Sequence, residues 1–215
     1  MSTDQLGPQQ PAQRPVRDVA DGYVLALADL NPILATVLGL HPGEDGMPDL
    51  SPDGQQAADA LARTALTELA AVEAAGPTAD GDERRCARLL RERLDGGLAR
   101  SEAGDHLREV SNIFGPMQSV RSVFMSMPAA TEDDWAVICR RMARVPEALA
   151  GYRASLSEGS RQAMFAAPRQ VETVTGQLAE WAAAGDGRGW FADFTVGAPV
   201  PPALRADLDA AAAGA

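Results

Sequence analysis

The stretch SPDGQQAADALARTALTELAAVEAAG, Ser51 to Gly76, decides the fold. Its apolar residues Ala58, Leu61, Ala62, Ala65, Leu69 and Val72 recur every three to four positions, which places them on one side of a helix. Ser51 followed by Pro52 is a helix start, with a capping hydroxyl and a ring that fits the first turn. After a turn at Gly76 to Gly81 a second long helix is expected. It carries Cys86, Leu89, Leu90 and Leu94 on one side and an Arg/Glu run on the other, and continues to Ala103 through the weak point Gly96-Gly97. Two such helices joined by a short turn predict an antiparallel hairpin.

The same period extends outward. Toward the N-terminus, Val19, Tyr23, Leu27 and Leu30 mark a helix from Val16 to Leu30, and Asn31-Pro32 restarts the chain as a second helix with Ile33, Thr36, Val37 and Leu40. His41 to Gly54 reads as a loop because Gly and Pro punctuate it. Toward the C-terminus, Gly115-Pro116 precedes a helix with Val120, Val123 and Phe124, and Thr131 with Asp134 forms a capping pattern before Trp135, Ile138 and Met142. Val145-Pro146 opens a helix through Leu149, Tyr152 and Leu156 to Gly159. Val171, Val174, Leu178 and Trp181 make a further stripe ending at Gly185.

No fixed repeat and no alternating run is visible. The expected fold is all-α, a non-repetitive array of about six to eight helices without a sheet. Residues 1–15 are expected as a disordered leader, 16–184 as the helical domain, and 185–215 as a Gly/Pro-rich loop with one short C-terminal helix.

Composition agrees. The 215 residues are 46% hydrophobic and 23% charged, the balance of a globular chain, and only 5% are aromatic, fewer than a sheet uses. A net charge of −11 argues against nucleic acid as partner. The Gln- and Pro-rich start, Met1 to Pro15, has the apolar run of neither a signal peptide nor a membrane anchor, so a cytoplasmic protein is expected. Cys86 and Cys139 are expected as buried free thiols.

The chemistry-bearing residues are sparse. A common zinc hydrolase needs two histidines one helical turn apart with a glutamate that activates water. Here His41 and His106 stand far apart, and no His-Glu-x-x-His occurs. Glu44, Asp45, Asp49 and Asp53 lack calcium-loop spacing and read as solvated turn chemistry. Arg84, Arg85, Arg88, Arg91 and Arg93 read as a solvated face paired with Asp82, Glu83 and Glu92. No catalytic residue and no metal ligand is assigned. Asn112, Gln118 and Arg121 stand out as polar residues around the broken backbone at Gly115-Pro116, placed either to line a cleft or to satisfy one another.

Four segments in succession resemble the domain-of-unknown-function 885 family of bacterial proteins, related to helical zinc carboxypeptidases. They are YVLALADLNPILATVLGLHPGEDGMPDLSPDG, REVSNIFGPMQSVRSVFMSMP, TEDDWAVICRRMARVPEALAGYRASLSEGSRQ and APRQVETVTGQLAEW, and the resemblance covers roughly Val16 to Trp181. The resemblance implies a zincin-like metallopeptidase in which an N-terminal helical region packs against a catalytic half carrying the zinc. This chain corresponds to the N-terminal region only. Zinc is therefore implied for the other half and no cofactor for this one, and the chain is not expected to be active alone. Asn112, Gln118, Arg121, Arg169 and Gln170 are the residues that the resemblance places toward a substrate cleft. The partners expected are a catalytic half or a second copy of the chain, met through an apolar surface drawn from Phe114, Met117, Phe124, Met125 and Met127. The alternative is a stand-alone helical binding or scaffold module.

Overall fold

The computed structural model describes residues 15–76 and 80–215, apart from the side chains of 184–186. The helices follow in the order α1 (Val16–Leu30), α2 (Pro32–Leu38), α3 (Pro52–Ala74), α4 (Gly81–Glu102), a 3-10 turn (Asp105–Arg108), α5 (Pro116–Ser126), α6 (Glu132–Met142), α7 (Val145–Arg161), α8 (Pro168–Gly187), α9 (Trp190–Thr195) and α10 (Pro202–Gly214). There is no strand among the described residues. All but Pro15 of the expected leader lies outside them.

Local chemistry explains where several helices begin. The Ser51 hydroxyl accepts from the amides of Asp53 and Gly54, and Asn31 Oδ1 accepts from Leu34 N at 3.1 Å, with a proline next in each case. Thr131 and Asp134 form a reciprocal capping box at α6.

α3 and α4 form the expected hairpin, and α1 lies against both. Their contact surfaces are small: Val16, Val19, Leu69 and Ala87 make one buried cluster, and Ala62, Ala65 and Leu94 another. Leu89 differs from the expected stripe, being 55% exposed, because the inward face of α4 is narrow and uses Ala87, Leu90 and Leu94 instead. Glu83 differs too. It is buried, and it accepts from the amides of Val16 (2.6 Å) and Arg17 (3.2 Å) and from the Arg17 side chain. A carboxylate from α4 thus satisfies the open N-terminus of α1, which has no capping side chain of its own. Cys139 is buried as expected and Cys86 only half-buried.

The larger core lies between α5, α6, α7, α9 and α10. Val123, Phe124, Ile138, Met142, Val145 and Leu208 are almost wholly enclosed there. Residues 185–215 supply two helices where the sequence suggests one. α9 brings Phe191 and Phe194 against Phe124, at 5.4 and 6.2 Å between ring centres, and α10 buries Leu208 and Ala212.

α7 runs past Gly159 to Arg161. This glycine does not end the helix but lets it pass the 3-10 turn, since a Cβ there would stand 2.1 Å from the Leu107 carbonyl oxygen. Tyr152, one face of the same helix, donates to the Glu109 carbonyl at 2.6 Å, and burial pushes its phenol up to about 12.

Candidate functional site

α5 begins at Pro116, after the bend at Gly115, and presents Gln118 and Arg121 one turn apart. Gln118 is buried, and its Nε2 donates to Gln177 Oε1 on α8 at 3.1 Å. Gln177 Nε2 in turn donates to the Asn112 carbonyl at 3.0 Å. This amide relay pins the segment before α5 to the middle of α8, with Asn112 taking part through its backbone. Gln118 Oε1 stays buried without a hydrogen-bond partner.

Arg121 meets α8 one turn further on, at Trp181. Its guanidinium carbon stands 4.3 Å from the ring centre of Trp181 on α8 and 5.1 Å from that of Trp190 on α9. Such contacts are worth about 0.5–2 kcal/mol each, more when water is excluded. The Arg121 Nε is buried and has no hydrogen-bond partner. No carboxylate among the described residues forms an ion pair with it.

This arginine borders a cavity of about 410 Å³, walled by Val120, Leu149, Leu178, Trp181, Trp190 and Phe191 among others. The size is that of a small-molecule site, and the lining follows the usual recipe of apolar walls with few polar groups. The aromatic wall is braced: Trp190 stacks on Phe194 with centres 5.3 Å apart and meets Phe191 edge-on at 5.1 Å.

The remaining sequence candidates do not join it. Arg169 and Gln170 are exposed on the first turn of α8, about 18 Å along the helix from Trp181 at 1.5 Å per residue. Gln170 borders a more open hollow of about 580 Å³ with Arg100, Asp105 and Arg108, where both arginines already pair with Asp105. A third hollow, of about 650 Å³, is bordered by Arg205, whose Nη atoms donate to the Thr195 and Ala198 carbonyls at 2.9 and 2.6 Å.

The two histidines do not come together in the described structure. His41 lies between Asp29 and Glu44 at 3.6 and 3.7 Å, whereas His106 stands on the 3-10 turn with its Nδ1 buried and unbonded. No group of three or more His, Cys, Asp or Glu among the described residues is arranged to hold a metal. The loop carboxylates act as turn and tether groups. Glu44 accepts from Gly46 N at 2.6 Å and Asp49 from Ser51 N at 2.9 Å, while Asp45 bridges Arg140 and Arg144 at 2.6 and 3.2 Å.

Sequence reasoning missed Arg141. It is fully enclosed and donates to Thr36 Oγ1 at 2.8 Å and to the Pro32 carbonyl at 3.3 Å, tying α6 to α2, and burial lowers its pKa below the usual arginine range. Its neighbour Arg140 stays at the surface, and the packing of α2 distinguishes the two.

The five residues expected to form an apolar surface divide. Phe124 and Met127 are core, Met117 borders the cavity, and Phe114 and Met125 are exposed, at 86% and 58%.

An all-helical protein with an aromatic-walled, arginine-bearing cavity is the class these features define. The chain belongs to the family described as bacterial protein of unknown function (DUF885), whose model matches residues 32–215, from α2 onward. No curated protein matches the chain. Among the described residues no helix is long and apolar enough to cross a membrane.

Proposed function

We propose that this chain is the non-catalytic helical region of a zincin-like metallopeptidase in its family and that it acts by binding. The single observation that carries the binding role is the cavity beside Arg121, an aromatic-walled space with a cation that has no ion pair among the described residues. The zinc chemistry of such a protein belongs to its catalytic half. This region would meet that half, or a second copy of the chain, through exposed apolar side chains such as Ile113 and Phe114 ahead of α5.

The test is metal content together with peptide turnover. The purified and dialysed chain should retain far less than equimolar zinc and return model peptides intact. Near-equimolar zinc that is lost on replacing His41 or His106, with hydrolysis lost alongside, would contradict the proposal.

A stand-alone binding module is the second reading, favoured by a cavity that α5, α7, α8, α9 and α10 wall together. Sedimentation separates the two. Concentration-dependent association that Phe114→Asp abolishes supports a docking region, and a monomer at every concentration supports the self-contained module.

A further inference from the structure

Three cavity-lining arginines differ in what they already hold. Arg188, also at the cavity beside Arg121, faces Asp193 at 3.7 Å. Arg205 is bound to two carbonyls and lies 3.4 Å from Asp209. Arg121 has two indole rings and no anion among the described residues. A cation against aromatic faces is held by the ring quadrupoles, but that attraction does not use its in-plane N–H groups as hydrogen bonds would. A buried guanidinium nitrogen without an acceptor is costly, and the cost vanishes if an incoming anion supplies the acceptor.

The rest of the lining fixes the body of such a ligand. Val120, Leu149, Leu178 and the faces of Trp181 and Trp190 offer no hydrogen bonds to a multiply charged group, which would lose its hydration without replacement. They suit an aliphatic chain or a single ring. A cavity of about 410 Å³ lies near the lower end of the range for small-molecule sites, so the ligand has on the order of ten to fifteen non-hydrogen atoms. The charge is single, because Arg121 is the one cation at the cavity without an acidic partner among the described residues.

We propose that the cavity between α5, α8 and α9 is a site for a small monocarboxylate with an apolar body, its carboxylate received by Arg121 and its chain or ring by Trp181 and Trp190. The assignment rests on the reading of this chain as a binding region and adds the ligand's class to it. Arg121 acts as the selectivity residue, since the apolar walls alone would accept the neutral counterpart equally well.

The experiment uses the whole chain with 3-phenylpropionate and octanoate as probes, and 3-phenylpropanamide as the neutral match to the first. Titration calorimetry should show both carboxylates binding, and 3-phenylpropionate about 10- to 100-fold tighter than its amide, the range for a charge-assisted contact. Arg121→Gln should erase that preference, and Arg121→Lys should restore part of it. Because Arg121→Gln also removes a packing group, Leu178→Trp provides an independent variant. It leaves Arg121 in place, fills the cavity from its half-exposed edge, and should abolish binding of acid and amide alike while the thermal transition is kept.

Equal affinity for acid and amide overturns the assignment, as does an unchanged preference in Arg121→Gln or no binding of any probe. Each of those outcomes leaves the metal and turnover test of the broader function untouched. Metal-dependent hydrolysis by this chain would sink that function whatever the cavity binds.

Discussion

The unit of α1, α3 and α4 and the assembly of α5 to α10 are both helical, yet they are built from different residues. The first packs alanine, valine and leucine in narrow seams, and ion pairs such as Arg91–Glu73 join its helices at the surface. The second holds all three tryptophans, Trp135, Trp181 and Trp190, together with Phe124, Phe191 and Phe194. Small side chains let helices close on each other and leave no space. Large flat ones brace against each other and enclose a cavity. The candidate site therefore falls where the packing is bulky and aromatic.

The largest effect expected from this contrast is at Phe124, which touches both Phe191 and Phe194 and is 1% exposed. Phe124→Ala should cost about 3–5 kcal/mol in denaturant unfolding and loosen the aromatic wall, so that ligand binding falls as well. Leu69→Ala, fully enclosed in the other unit, should cost about 2–4 kcal/mol and leave binding intact. Loss of binding in both variants at temperatures where both are folded would break the division.

Much of that division was legible in the sequence and part was not. The stripes of α3 and α6 and the caps at Ser51 and Thr131 are local signals and reappear in the structure. α9 was hidden because six residues, WFADFT, are too few to show a period, and Gly189 and Gly197 flank them as they would a loop. For the site, the irregular segment around Gly115 pointed to Gln118 and Arg121, which share one helix face. Trp181 was legible only as a stripe residue and Trp190 not at all, since they meet Arg121 from separate helices. The separation of Arg169 and Gln170 from Arg121 needed the path of α8, which no sequence pattern supplies.

Titration sharpens the comparison, because each half has a perturbed group that ties one element to another. Hydrogen bonding from Arg17 and from the first amides of α1 holds the Glu83 carboxyl below its ordinary 4.5. The stability this gives is present above that value and is lost as pH falls through the lower folded one. Glu83→Gln should flatten the acid limb of unfolding followed by dichroism. In the other half the Tyr152 phenol, raised from 10 to about 12, contributes stability that is complete below pH 10 and is lost between 10 and 12. Tyr152→Phe should cost about 1 kcal/mol at neutral pH, the worth of one hydrogen bond, and remove that alkaline loss.

The smallest effect lies at the boundary after α7, where Ala163 adopts φ 57 while Met164 N donates back to the Gly159 carbonyl at 2.8 Å. That is a helix-ending conformation glycine adopts without strain. Ala163→Gly should raise the unfolding free energy by about 0.5 kcal/mol, measured by the same denaturant series, with no change in ligand affinity.

The central claim, that binding belongs to the aromatic half and is directed by Arg121, is tested most directly by a proton–nitrogen correlation spectrum of the whole chain titrated with 3-phenylpropionate. The indole signals of Trp181 and Trp190 and the amides of α5 and α8 around Arg121 should move together and saturate, while the amides of α3 and α4 stay in place. Shifts centred on α3 and α4, or indole signals that do not respond at saturating ligand, would contradict the account.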